Sequence, residues 1–259
     1  MNTQNLDYLK EGLRYLGFGN SLYEELEKNI TAQAREFELK AHIPYYKSAV
    51  DYTLHFRKSD QSEMYFFNKY EALYRNMDPA QDKRQTFYIH KNNGITAREA
   101  YNLLNGRAVF KELVNAEGQP YKAWVQLDMR AKDQSGNYKV RQFHENYGYD
   151  LEKTLKQFYI MEILDPEQKA QLLRSLQKGN RQQVTALEGG NEVKRLIEAN
   201  PRFKTINVYN EQHHQVMRET ITRYGVKLEN NLKQQEPRQE PTLEKQLAKR
   251  QSRPKGLSL

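Results

Sequence analysis

The sequence predicts an α+β protein built from tandem units, each a short helix followed by a three-stranded antiparallel sheet. Two observations lead to this fold class. Stretches of alternating apolar and polar residues, typical of sheets with one buried face, follow short helices that have clear start and stop signals. Glycines end two of these helices 73 residues apart, at Gly106 and Gly179, and the same order of elements follows each glycine.

The central unit, predicted over residues 93–160, begins at Thr96 and Glu99, whose spacing is that of a capping box. Its helix ends at Gly106, and glycine-containing turns separate the segments that follow. The predicted strands are Arg107–Phe110, Tyr121–Leu127 and Tyr138–Phe143. A short helix from Leu151 onward is expected to join this unit to the next.

The third unit, predicted over residues 161–224, repeats this order. Asp165 and Pro166 favour a helix start, and Gly179 favours its end. The predicted strands are Gln183–Leu187, Val193–Ile197 and Phe203–Tyr209. A last helix is predicted over Gln212–Tyr224, with Gly225 as its stop.

The first unit, predicted over residues 1–92, is the least regular of the three. An amphipathic helix with leucines at 6, 9, 13 and 16 precedes a second helix, which Asn20 and Ser21 are predicted to cap. The predicted strands are Phe37–Ile43, Val50–Phe56 and Met64–Phe67, with Phe87–His90 as an extra strand. No glycine marks the end of the second helix, so this unit matches the other two less closely.

The positive charge of the chain is concentrated in its last residues. The 259 residues include 41 Lys and Arg against 33 Asp and Glu, for a net charge of +8, and residues 225–259 hold eight of these bases and four of these acids. This tail is rich in proline and poor in apolar residues, which predicts disorder. A disordered basic tail can bind nucleic-acid phosphates or serve only to keep a protein soluble, and the composition leaves both open. The tail residues that we name as nucleic-acid contacts are Lys245, Lys249, Arg250, Arg253 and Lys255.

Several classes of protein are excluded or disfavoured by what the chain lacks. Without cysteine it can form neither disulfides, nor cysteine-ligated metal sites, nor a thiol nucleophile. No apolar run approaches the roughly 20 residues that span a bilayer, and the first residues do not resemble a secretory signal. We therefore expect a cytoplasmic protein with no membrane partner. Phosphate-loop, dinucleotide and nucleophile-elbow motifs are also missing, so no cofactor is predicted.

Three motifs resemble a domain family of unknown function. They are Ala100–Val109 (AYNLLNGRAV), His144–Asp150 (HENYGYD) and Ile197–Thr205 (IEANPRFKT). The family is encoded on conjugative transposons and related mobile elements of Gram-negative anaerobes, and related domains accompany topoisomerase-like proteins. The resemblance covers most of the chain outside the tail. It implies a setting in DNA mobility or replication and supplies no catalytic residues to transfer.

Three hypotheses of function follow from the sequence. The first is a non-enzymatic nucleic-acid-associated accessory protein that binds DNA or RNA through its tail and through one face of the central sheet. If the strands of the central unit share an exposed face, the residues expected to contact nucleic acid there are Arg107, Lys122, Trp124, Lys139 and Arg141. The second is an adaptor that docks a topoisomerase, relaxase, conjugation protein or host factor, and it predicts an exposed apolar patch.

The third hypothesis is a metal-dependent nuclease, which the sequence disfavours. It requires two or three histidines to converge with carboxylates, and these residues are scattered at His42, His55, His90 and His144. The polar and aromatic cluster at His144–Asp150 could surround a nucleophilic tyrosine. Packing of its tyrosines between a strand and a helix, with Asp150 as helix cap, explains the same residues more simply.

Overall fold

The computed structural model describes residues 2–45, 48–90, 94–115 and 117–222, so the tail predicted over 225–259 lies outside the described residues. The helices within these residues are α1 (Thr3–Tyr15), α2 (Tyr23–Thr31), α3 (Ala97–Leu104), α4 (Leu151–Leu155) and α5 (Pro166–Gln177). The strands are β1 (Glu36–Tyr45), β2 (Ser48–Lys58), β3 (Tyr65–Arg75), β4 (Lys83–Tyr88), β5 (Val109–Val114), β6 (Pro120–Lys132), β7 (Tyr138–His144), β8 (Gln182–Glu188), β9 (Asn191–Asn200), β10 (Thr205–Tyr209) and β11 (Gln215–Val216).

The strands form three antiparallel sheets, so the predicted α+β class is confirmed. In each sheet, strands that follow one another in the chain are neighbours: β1 to β4 in the first, β5 to β7 in the central one and β8 to β11 in the third. A helix precedes each sheet in the chain, namely α2, α3 and α5. Only the central sheet has three strands, since the first and third have four each.

Most helix boundaries follow the local signals in the sequence. Thr96 and Glu99 form the capping box, and Asp165 accepts a hydrogen bond from the Gln168 amide at the start of α5. Gly106 and Gly179 both follow helix ends with φ near +76°, a left-handed conformation that suits glycine. The predicted cap at Asn20 and Ser21 is wrong, because α2 starts one residue later, after Leu22, without a side-chain cap.

The first hydrophobic core lies between the first sheet and helices α1, α2 and α3. Two buried tyrosines of the sheet fix the start of α3 through their hydroxyls. Tyr52 donates a 2.7 Å hydrogen bond to the Ala97 carbonyl, and Tyr70 donates one of 2.5 Å to the Ile95 carbonyl. A ring packed in the core with its hydroxyl bonded at the edge is the arrangement that the many tyrosines favour.

The central sheet contributes to two cores, one on each face. Val125 and Leu127 of β6 belong to the first core, whereas Trp124 and Phe143 belong to a second core with α4, α5 and the third sheet. Strand alternation explains this division, because neighbouring residues of β6 point to opposite faces. The sequence predicts sheets covered on one side only, and the central sheet differs by being covered on both.

Helix α5 ends in direct contact with the start of the central sheet. A Cβ atom built on Gly179 would lie 2.8 Å from the Ala108 carbonyl oxygen and 3.0 Å from a Val109 methyl group. Only a residue without a side chain fits this approach.

The last predicted helix, over Gln212–Tyr224, is wrong. Gln215–Val216 form strand β11 instead, with Val216 opposite Val208, and residues 218–221 form a single 3₁₀ turn. Pairing at the free edge of β10 and complete burial of Ile221 in the second core replace the expected helix. Gly225, its predicted stop, lies outside the described residues.

Candidate nucleic-acid interface

An exposed aromatic ring stands between two cations where β9 turns into β10. Strand β9 ends at Asn200, and Pro201–Phe203 form a 3₁₀ turn closed by Lys204 in the left-handed region, with φ of +51°. This turn takes Phe203 out of the strand that the sequence predicts over Phe203–Tyr209, since β10 begins only at Thr205. The Phe203 side chain is consequently 66% exposed.

The cations beside Phe203 are held close to aromatic rings. The Arg202 guanidinium carbon lies 5.3 Å from the centre of the Phe203 ring, and Lys204 Nζ lies 4.8 Å from the centre of the Tyr147 ring. Tyr147 donates a 2.8 Å hydrogen bond to the Arg202 carbonyl, which joins this turn to the segment after β7. Attraction between cations and ring faces therefore orders these side chains without neutralising their charge.

The central sheet adds two further cations next to this turn. Arg141 Nε and Nη2 donate to Asp128 Oδ2 at 3.0 and 2.5 Å, and Lys139 lies opposite Asp128 in the β6–β7 register. Arg141 holds the pKa of the Asp128 carboxyl below its usual value, and the charge of Arg202 lowers it further. Arg202 therefore lies within electrostatic range of Asp128.

We call this region the Phe203 surface. Its members are Lys139, Arg141, Tyr147, Arg202, Phe203 and Lys204. It combines four cations with two accessible rings, and Asp128 is the carboxylate bound to one of the cations. Such a surface can bind phosphates through its cations and stack unpaired bases on its rings.

The structure brings two of the five predicted central residues, Lys139 and Arg141, into the Phe203 surface. Trp124 lies on the same face of the sheet but is only 4% exposed. Its ring packs 5.3 Å from Phe110 and 5.4 Å from Tyr149, so the expectation that it is exposed is wrong. The second core covers this part of the face, and Trp124 cannot stack on a base.

The other predicted residues are placed elsewhere. Lys122 is exposed and lies opposite Glu112 in the β5–β6 register. It is six residues from Asp128 along β6, which corresponds to a distance of roughly 20 Å along the strand. Arg107 lies half-buried beside α3. The five named tail residues lie outside the described residues, and their role stays a prediction.

Arg107 belongs to a second group of cations, where α3 meets the first and third sheets. Its guanidinium carbon lies 5.1 Å from the centre of the Tyr101 ring, and that of Arg98 lies 5.4 Å from the same ring. Arg107 Nη2 donates to Asn102 Oδ1 at 2.6 Å. Arg181 and Lys83 lie close enough for their charges to interact with Arg107. We call Lys83, Arg98, Arg107 and Arg181 the Arg107 cluster.

The four histidines of the nuclease hypothesis have separate surroundings. His42 hydrogen-bonds with Asp51, His55 lies between Glu38 and Glu71, and the His144 ring lies 5.3 Å from that of Tyr121. Across the residues that the structure describes, no three His, Cys, Asp or Glu side chains are arranged to hold a metal ion.

Within the His144–Asp150 cluster, Tyr149 and Asp150 are placed as the simpler explanation predicts, whereas Tyr147 is 37% exposed and not packed as predicted. Tyr149 donates a 3.0 Å hydrogen bond to the Thr205 carbonyl, and its burial raises the pKa of its hydroxyl. Asp150 accepts from the Lys153 amide at 3.0 Å and caps α4.

Sequence reasoning missed the three residues that define the Phe203 surface: Arg202, Phe203 and Lys204. The sequence predicts a strand that begins at Phe203 and includes Lys204, and it assigns no role to Arg202. The available signal was Pro201, which has no amide hydrogen to donate to a sheet and often marks a turn, followed by an aromatic residue between two cations.

No protein-family model, no curated protein and no solved structure matches the chain. Among the described residues, no helix is both long and apolar enough to cross a bilayer.

Proposed function

We propose that this chain is a non-enzymatic accessory protein of a mobile genetic element that binds nucleic acid through the Phe203 surface and the basic tail. The observation that carries the proposal is the exposed Phe203 ring, which Arg202 and Lys204 flank in the chain, with Arg202 within electrostatic range of the Asp128–Arg141 pair. The mobile-element setting and the cytoplasmic location rest on the sequence.

The preferred target is single-stranded or unpaired nucleic acid. Phe203 and Tyr147 offer ring faces to bases that are not already stacked in a duplex, and such stacking tolerates any base. The flanking cations would follow the phosphate backbone. The described residues are otherwise close to charge balance, since 30 bases accompany 29 acids in them, so local arrangement rather than overall charge supports this choice.

The proposal is tested by fluorescence anisotropy with single-stranded and duplex oligonucleotides, from about 50 to about 200 mM salt. The double variant R202A/K204A should bind more weakly, with a log–log salt slope smaller by about 1.4 on single strands because two phosphate contacts are lost. F203A should lose about 1–3 kcal/mol on single strands with an unchanged slope. Deleting residues 236–259 should also weaken binding and flatten its salt dependence.

The matched control is K28A/K40A, which removes two exposed lysines from α2 and β1. It should leave affinity and slope close to those of the unaltered protein. If the full chain does not bind at about 50 mM salt, or if both double variants behave alike, the proposed function is wrong.

The adaptor remains a second candidate, because an exposed apolar patch lies at the start of α1. Tyr8, Met64 and Phe66 are exposed there around a pocket of about 420 Å³. If the chain docks a topoisomerase or relaxase encoded on the same element, F66S should abolish that binding and leave oligonucleotide binding intact. If the protein binds oligonucleotides only negligibly at every salt concentration, the adaptor is favoured over the nucleic-acid-binding protein.

We further propose that the three helix-and-sheet segments are repeats of one unit. Supporting it are the matched glycines at the ends of α3 and α5 and the sequential antiparallel order of every sheet. Superposition of residues 96–144 on residues 165–209 tests this relation. A helix that packs on the opposite face of its sheet in one segment would contradict it.

A further inference from the structure

The Arg107 cluster holds more positive charge than its surroundings neutralise. Arg107 Nε is buried without a hydrogen-bond partner, and among the described residues no carboxylate forms an ion pair with this guanidinium. A half-buried cation that lacks a direct ion pair and has an unpartnered Nε is poorly solvated, so a further anion is expected to balance it. Glu198 is the carboxylate whose charge acts most strongly on Arg107 among the described residues.

Glu198 cannot supply that balance, because its oxygens already have partners. Oε2 pairs with Arg181 at 3.1 Å, while Oε1 accepts from the Tyr209 hydroxyl at 2.6 Å and from Asn207 Nδ2 at 3.0 Å. Burial, followed by the charge of Glu198, raises the pKa of Tyr209 to about 12, so its hydroxyl stays protonated as a donor.

The guanidinium groups of Arg98 and Arg107 are held near each other by a shared ring and a short amide network. Both lie against Tyr101, so they can be no farther apart than the sum of their two distances to that ring. Asn102 accepts from Arg107 and donates to Asn180 Oδ1 at 3.1 Å, which in turn accepts from Arg98 Nε at 3.2 Å.

Solvent reaches the cluster through its outer members. Arg98 is exposed, whereas Lys83 and Arg181 are half-buried. Burial lowers the pKa of Lys83, and the charge of Arg107 lowers it further, as expected where cations converge. The ring faces here are largely in use, since Tyr45 stacks on Tyr101 at 4.0 Å and Arg181 covers Tyr209 at 3.7 Å. The cluster therefore offers charge and donors, with little room for an aromatic ligand.

We infer that the Arg107 cluster is a binding site for a phosphate group, in which Arg98 and Arg107 donate to its oxygens and Lys83 and Arg181 add positive potential. A tetrahedral dianion offers several acceptors to several donors, and guanidinium groups match it in geometry. This inference does not depend on the Phe203 surface. The phosphate could belong to a nucleic-acid end or to a free phosphorylated metabolite.

Thermal unfolding of the full chain in chloride and in inorganic phosphate at equal ionic strength tests the inference. At roughly a hundredfold excess over Kd, phosphate should raise Tm by about 5–10 °C. R107M should abolish this shift while leaving stability in chloride unchanged or higher, because it removes a buried charge. R98Q changes an exposed residue, so it should leave the fold intact and weaken phosphate binding roughly tenfold or more.

The control is R57M, which removes an exposed arginine paired with Asp60 at the far end of β2 and should keep the full phosphate shift. The source is distinguished with oligonucleotides bearing a 5′-phosphate or a 5′-hydroxyl, and with a free nucleoside monophosphate; the ligand with the larger Tm shift identifies it. An absent phosphate shift, or an equal shift in R98Q and the unaltered protein, would overturn the inference. Neither result bears on oligonucleotide binding by F203A, so the two proposals fail separately.

Discussion

The Phe203 surface and the Arg107 cluster have similar compositions and opposite arrangements. Each joins four cations to tyrosine or phenylalanine rings. Each ring at the Phe203 surface has one cation beside it, yet Phe203 is 66% and Tyr147 37% exposed, whereas around Arg107 the tyrosines are buried or half-buried and stack on one another or lie under guanidinium groups. Composition alone would assign both regions the same ligand.

The difference lies in what each region leaves free for a ligand. Accessible rings can stack on bases, so the Phe203 surface suits unpaired nucleic acid. Rings already covered leave only donors and charge, so the Arg107 cluster suits a compact anion. The position of a ring relative to the cores therefore decides how a basic and aromatic segment can be used.

The largest expected effect is a loss of stability that distinguishes the buried Trp124 from the exposed Phe203. W124A should lower the free energy of unfolding by about 3–5 kcal/mol, because it empties the space between Phe110 and Tyr149. Urea unfolding measures this loss. F203A is the control and should change stability by less than about 0.5 kcal/mol, since its ring is exposed. If W124A is as stable as the unaltered protein, Trp124 is not the core residue described above.

The next largest effect is expected from a substitution at Gly179, where the end of α5 contacts the start of the central sheet near the Arg107 cluster. G179A should cost about 2–4 kcal/mol, because a left-handed φ and a contact with the Ala108 carbonyl act together. G190A shares the positive φ, but nothing lies within 4 Å of its new Cβ, so it should cost only about 1–2 kcal/mol. If G179A and G190A lose the same free energy of unfolding in urea, the contact between Gly179 and the Ala108 carbonyl does not restrict the residue at this position.

The smallest expected effect concerns Asp128, the carboxylate that restrains Arg141 at the Phe203 surface. D128N should increase oligonucleotide affinity, because it frees the Arg141 guanidinium and removes a negative charge beside the bound strand. Anisotropy titration measures the change. Weaker binding by D128N would mean that Asp128 orients Arg141 for contact instead of restraining it.

The same ion pair predicts a pH dependence of stability. Arg141 lowers the pKa of Asp128 in the folded protein, so the contribution of the pair is complete above the unfolded pKa of about 3.9. It is lost as the pH falls through the lower folded value. The stability difference between the unaltered protein and D128N should therefore be constant near neutral pH and shrink in acid.

Local signals predicted much of the fold. Capping residues and glycines located the starts or ends of α3 and α5, and alternation located β6 and β7, whereas β5 runs over Val109–Val114 and not over the predicted Arg107–Phe110. Non-local packing could not be predicted in the same way. Nothing near Val125 and Trp124 shows that both faces of their strand are covered, because the covering elements lie far away in the chain.

The candidate site was predicted only in part. Strand alternation correctly put Lys139 and Arg141 on the face of Trp124, but exposure along that face depends on α4 and α5. Phe203 was missed because a strand pattern and a turn after proline compete in the same few residues. The Arg107 cluster joins residues up to about a hundred positions apart, from Lys83 to Arg181, which one-dimensional patterns do not relate.

The central sheet has a hydrophobic core on each face, so both halves of the described chain depend on it for their packing. A fragment that stops after this sheet leaves Trp124 and Phe143 facing water, and a fragment that begins after it removes these two rings from the second core. Neither half of the described chain therefore has a complete hydrophobic core by itself. The molecule is therefore best divided for expression or for fusion at its outer hairpins, such as the one at Gly189 and Gly190, and not between its sheets.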